Sequence, residues 1–135
     1  MKIFIIMAVR NAPDELIAIV EAYLAKLERD GHEVHYPPRD ADQSDPIGNR
    51  ICETHRRKMW ECDRVDIFWD SQSFGSHFDL GMAYMAGKPL KLIHIVRPDP
   101  DGKSYLKLIM ATQDSQRKML QSISASQLHL EEDFL

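Results

Sequence analysis

The sequence predicts an α/β domain: a three-layer α/β/α sandwich around a parallel, flavodoxin-like or Rossmann-like sheet of four to five strands. Three observations predict it. Short strand-like runs recur at residues 2–7, 33–36, 65–69 and 90–96, and helical spacing of apolar residues separates each from the next. Such alternation implies parallel strands joined by right-handed crossovers, with helices covering the sheet. A length of 135 residues, without repeats or Gly/Ser linkers, suits a single domain spanning 1–135 whose core is large enough to fold without disulfides or metal.

The elements follow in order. Residues 2–7 form a continuous apolar run, too short for a signal-peptide core or a membrane span, and read as a buried strand in a cytoplasmic protein. Pro13 and Asp14 open a helix, because proline in the first turn loses no intrahelical hydrogen bond. Leu16, Ile17, Val20, Tyr23, Leu24 and Leu27 share one of its faces, and Gly31 stops it. A short strand over 33–36 ends at Pro37 and Pro38. Residues 39–45 read as a charged surface loop, after which Pro46 starts a helix running to about Cys62. The third strand, 65–69, leads into a polar turn at Asp70, Ser71, Gln72 and Ser73. A helix over 78–86 capped by Gly87 precedes the fourth strand at 90–96. Beyond it, residues 105–123 have helical character with a break expected near Thr112, and 106–110 also admits a fifth strand. The last five residues fit either a frayed tail or an arm docked on a neighbouring subunit.

Charge and cysteine content exclude several functions. With 21 Asp+Glu against 17 Lys+Arg, the net charge of -4 argues against a nucleic-acid polymer or an anionic membrane as partner. Cys52 and Cys62 form neither a disulfide framework nor a zinc knuckle, and no metal site is expected. A small anionic ligand remains compatible with the composition.

In an open parallel sheet, ligands bind beyond the carboxyl ends of the strands. This singles out the loop of Ala8, Arg10 and Asn11 within residues 8–12, the turn from Asp70 to His77, and the loop over 37–45 after the second strand. The first lacks both the dinucleotide-binding and the P-loop glycine patterns. The second gathers Ser73, Gly75 and Ser76 at a helix start, where backbone N–H groups favour an anion. Taken locally, Ser76 and Asp79 more often form a capping pair that merely completes the helix. Asp70 is equally suited to orienting a sugar and to bonding its own turn.

The longer pattern shifts that balance. Gly75, Asp79, Leu80, Gly81, Ala83, Gly87, Lys88 and Pro89 resemble the conserved strand, loop and helix of the nucleoside 2-deoxyribosyltransferase superfamily, and the similarity extends more loosely from Met1 to about Val96. The resemblance implies covalent catalysis, in which a carboxylate attacks C1' of a deoxyribose, the base departs, and the glycosyl intermediate passes to another base or to water. Carried over, the nucleophile is Asp79, where the family has glutamate. Ser73, six residues earlier, replaces the transferases' aspartate and matches the serine of the branch that hydrolyses deoxynucleoside 5'-monophosphates. His55 stands where the family has a catalytic aspartate.

The resemblance therefore implies cleavage or transfer at the N-glycosidic bond of a nucleoside or nucleotide, with Asp79, His55 and Asp70 as catalytic groups. Ala8, Arg10, Asn11, Ser73, Gly75 and Ser76 would bind substrate. It further implies a homodimer or higher homo-oligomer and no metal or organic cofactor. The replacements at Asp79 and His55 motivate the alternative, a nucleotide-binding or sensor module that retains the fold without efficient catalysis.

Overall fold

The computed structural model describes residues 1–133, with side chains described through Ser126. The chain forms β1 (Lys2–Ile6), α1 (Asp14–Arg29), β2 (Glu33–His35), α2 (Pro37–Asp40), α3 (Asn49–Glu61), β3 (Arg64–Asp70), α4 (Phe74–Met85), β4 (Leu90–Arg97) and α5 (Tyr105–Asp133). The four strands make one parallel sheet in the order β2-β1-β3-β4. The α/β sandwich expected from the alternation is thus present.

Strand alternation divides the core into two layers. Phe4, Ile6, Val65, Ile67 and Trp69 face Met59 of α3, Leu80 and Ala83 of α4, and Ile109 of α5. Ile3, Ile5, Val34 and Phe68 face Leu16, Val20, Leu24 and Leu27 of α1. One face of the sheet therefore carries three helices and the other carries α1. The direction of crossing reverses between β1 and β3, which opens a crevice at their carboxyl ends.

A buried charge ties α1 to the sheet. Asp66 is fully enclosed and accepts hydrogen bonds from Tyr23 Oη of α1 at 2.5 Å and from Arg64 Nε and Nη2 at 2.6 and 3.0 Å. Burial, followed by the bond to Asp66, holds the Tyr23 phenol well above its ordinary pKa.

Several boundaries differ from the sequence reading. The fifth strand proposed at 106–110 is the first part of α5, which runs without a break at Thr112. Leu106 and Ile109 pack on the core from one helical face. Two turns further on, Gln113 Oε1 accepts from Leu92 N at 2.6 Å and Gln116 Oε1 from Leu90 N at 2.9 Å. Gln116 Nε2 also donates to the Lys88 carbonyl at 2.9 Å. These glutamines satisfy the outer edge of β4, the position a further strand would occupy.

The expected loop over 39–45 begins with the short α2, closed by bonds from Arg39 N and Asp40 N to the Tyr36 carbonyl. The next helix starts at Asn49 rather than Pro46. Gly48, with φ +79°, occupies its N-cap, while Asp45 accepts the Arg50 amide at 2.7 Å. The docking-arm alternative for the last residues falls on side chains outside the described part. No helix among the described residues is long and apolar enough to cross a membrane.

Candidate active site

The site is organised by the first two turns of α4. This helix begins at Phe74, a full turn earlier than the spacing suggested, because Ser73 is its N-cap. Ser73 Oγ accepts the Ser76 amide at 3.2 Å. The expected capping pair of Ser76 with Asp79 is therefore not formed, and both residues lie within the helix.

Three positions apart, Ser76 and Asp79 share the inward face of α4. Both are buried, and Ser76 Oγ has no hydrogen-bond partner. Gly75 lies exposed, and a Cβ added there would meet nothing within 4 Å. Its amide and that of Phe74 belong to the set at any helix start that lacks an intrahelical acceptor.

Asp79, 5% exposed, meets His55 from the middle of α3, 7% exposed. His55 Nδ1 lies 3.1 Å from Oδ1 and 3.2 Å from Oδ2. A carboxylate only accepts, so Nδ1 carries the hydrogen. Two residues 24 positions apart, both singled out from sequence, are thus in direct contact.

Asp70 closes β3 on the other side of the turn and is also buried. Its Oδ1 accepts the Gln72 amide at 2.9 Å and lies 3.3 Å from Arg97 Nε, while its carbonyl accepts the Ser73 amide at 3.0 Å. Arg97 also bonds the Gln72 side chain. Asp70 therefore shapes the turn that presents Ser73. In the loop after β1, Ala8 is buried, whereas Arg10 and Asn11 are exposed and Asn11 adopts φ +56°. Asparagine tolerates that left-handed conformation better than most residues.

The Gly87-Lys88-Pro89 segment has a structural part. Gly87 takes φ +65° just past α4, and Lys88 Nζ donates to the carbonyls of Trp60 and Cys62 at 2.8 and 2.7 Å. A cation on these carbonyls completes the C-terminus of α3 and ties it to the end of α4. The two helices that bring His55 to Asp79 are fastened at one end by this contact. Trp69 is a core residue, whereas Trp60 is largely exposed.

Sequence reasoning weighed His35 only as a metal ligand, which it did not favour, and gave it no place in the site. In β2 it stands beside Phe4 of β1, so both side chains leave the sheet on the α3 face. The Phe4 ring lies 5.0 Å from His35 and 5.4 Å from His55. Burial, followed by the charge on His55, pushes the His35 imidazole from its ordinary 6.5 down to about 4. Alternation within β2 was the available signal, since it places Val34 in one layer and His35 in the other.

No protein-family model matches the sequence, and no curated protein matches it. Solved structures do. The fold superposes on Clostridium botulinum CMP N-glycosidase, BcmB, with a TM-score of 0.58 and 18% identity over 83% of this chain and 82% of that one. The chain has a nucleoside 2-deoxyribosyltransferase-like fold. A 2-deoxyribosyltransferase from Bacillus psychrosaccharolyticus gives a TM-score of 0.56 and 19% identity over 74% of this chain and 77% of that one. For this deoxyribosyltransferase-like fold, the crevice between β1 and β3 is the place to seek a ligand.

Proposed function

We propose that the protein breaks the N-glycosidic bond of a nucleoside or nucleotide, passing the sugar to water or to a second base, with Asp79 as nucleophile. The observation that carries the proposal is the contact of Asp79 with His55 one turn inside a helix whose start offers amides and hydroxyls. A carboxylate at this place attacks C1', the C–N bond breaks with its electron pair going to the base, and the base takes up a proton. Water or another base then displaces the carboxylate from the sugar. His55 orients the attacking oxygen and serves as the nearest proton donor. A carboxylate has about four lone-pair sites, so one oxygen can stay on His55 while the other attacks.

Ser73, Gly75 and Ser76 are assigned to phosphate or sugar, with helix-start amides holding an anion despite the chain's acidic total. Ala8, Arg10 and Asn11 cover the sugar, and Asp70 keeps the turn in place. The fold shared with a CMP N-glycosidase and a deoxyribosyltransferase supports this choice of substrate class.

The proposal includes a homodimer. Phe74, Phe78 and Met85 are 90%, 53% and 88% exposed, and with Gly81 they form one stripe along α4. They leave roughly 450 Å² of apolar surface open, a large part of the ~800 Å² that each partner buries in a stable interface. Pairing α4 with its copy would also wall the crevice.

A second reading is a binding module, and the burial of Asp79 beneath its bond to His55 favours it. Incubation with deoxynucleosides and their 5'-monophosphates separates the two. Release of free base supports the enzyme. Thermal stabilisation by a monophosphate without base release supports the module.

A further inference from the structure

A cavity of about 790 Å³ lies between the first turn of α4, the loop after β4 and the start of α5. Its volume falls within the range of small-molecule sites. None of its lining residues is assigned to the glycosidic bond, the phosphate or the sugar.

His77 brings one defined atom to this wall. Its Nδ1 lies 2.7 Å from the Ser73 carbonyl, and a carbonyl only accepts, so Nδ1 carries the hydrogen. Nε2 of the neutral ring is then a lone pair, an acceptor suited to a ligand that bears an N–H. The ring is held by Trp69, with centroids 4.8 Å apart, and meets Tyr105 edge to face at 5.2 Å. Trp69 is fixed in turn, because its Nε1 donates to Asp99 Oδ1 at 3.0 Å while Asp99 Oδ2 accepts the Leu106 amide at 2.8 Å. These bonds tie β3, the following loop and α5 together, so the wall is organised before any ligand arrives.

Charge decides which ligand fits. Lys103 is the one cation of the lining and Asp99 the one anion, so the wall carries no net charge to favour a phosphate. Both Asp99 oxygens are already engaged. Pro98, Pro100 and Leu108 supply apolar surface, and Tyr105, 56% exposed, adds an aromatic one. A flat, neutral, heteroaromatic molecule with N–H donors matches these walls, and free nucleobases are of this kind.

We propose that this cavity binds a free nucleobase, stacked on Tyr105 and donating an N–H to His77 Nε2. An occupied cavity bears on the turn assigned to substrate, because a hydrogen bond accepted at Nε2 polarises the ring and strengthens its Nδ1–H bond to the Ser73 carbonyl. That consequence rests on the proposed glycosidic chemistry, in which a base is product or acceptor, whereas the binding itself does not.

Titration of the full chain with adenine and with cytosine at about pH 8 tests the proposal, read by ¹⁵N–¹H spectra of histidine-labelled protein and by calorimetry. The expected result is an upfield shift of His77 Nε2 and a low-field shift of its Nδ1–H, both saturating together. Tyr105→Ala, at a position already exposed, should weaken binding roughly tenfold, about the worth of one stacking ring. His77→Phe keeps a ring against Trp69 and should weaken binding by a similar factor. Asp79→Asn should leave the His77 shifts unchanged. A His77 undisturbed at millimolar base would overturn the proposal, as would binding that survives Tyr105→Ala or shifts produced by inorganic phosphate instead. If bases bind here and no nucleotide yields base, this proposal stands and the glycosidase proposal fails. If nucleotides release base while adenine and cytosine leave His77 unmoved, the reverse holds.

Discussion

Acidification should destabilise this protein well above the range in which its carboxylates titrate, because His35 is buried as a neutral imidazole. Its folded pKa is about 4 against 6.5 when unfolded, so between these values the unfolded chain binds more protons than the native one. Stability from this group is fully present above the unfolded value and is lost as pH falls toward the folded one. The whole difference is worth about 3 kcal/mol, of which about 2.5 kcal/mol should disappear between about pH 7.5 and about pH 4.5. These are upper figures, since a ring that is 8% exposed retains some solvent screening. For a domain of this length the loss corresponds to a fall in Tm of roughly 8 °C. Asp40 and Asp99, whose pKa values are lowered, lose their contributions as pH falls through and below the ordinary carboxylate range, for the most part beneath this window. Urea unfolding followed by circular dichroism across the interval, for wild type and His35→Gln, measures the effect. The difference between the two curves isolates His35. Parallel curves would refute the reasoning.

Four other outcomes follow from the same geometry. Asp79→Asn removes the nucleophile and should lower base release by a factor on the order of 10³ while the fold persists, as read by single-turnover chromatography. Arg64→Met leaves the buried Asp66 with Tyr23 as its remaining side-chain donor and should cost about 3 kcal/mol in chemical denaturation; Tyr23→Phe should cost about 1 kcal/mol. Ser73→Ala should lose about 1 kcal/mol of stability with the N-cap, and monophosphates should then stabilise the protein less in a thermal-shift assay. Replacing both Phe78 and Met85 by lysine should shift the sedimentation coefficient to that of a monomer without lowering Tm; an unchanged coefficient would count against the α4 interface.

Much of the fold was legible because it depends on periodicity. The run at 2–7 and the spacing of Leu16, Val20, Leu24 and Leu27 point to one arrangement, a buried strand beneath an amphipathic helix, and both occur. Errors arose where a local signal serves two structures. Apolar residues at 106–110 suit a strand or a helix in so short a window, and the pairing of α5 with the free edge of β4 decided for the helix. Pro46 is a good helix starter, yet Gly48 and Asp45 together set the start at Asn49. At α4, two serines were possible caps. Ser73 took that place, freeing Ser76 and Asp79 to face inward.

The sequence by itself determined the alternation of elements, the acidic and cysteine-poor composition, and the motif that put Asp79 and His55 forward. Only the tertiary structure decided what those residues touch. His55 and Asp79 meet because α3 and α4 pack side by side on one face of the sheet, fastened by Lys88. His35 joins them because it stands beside Phe4 in a parallel register that no local pattern encodes. Contacts between distant segments depend on strand order and helix placement, which follow from burying all the apolar faces at once. The pairing of ionisable groups inside the fold is a consequence of that global packing.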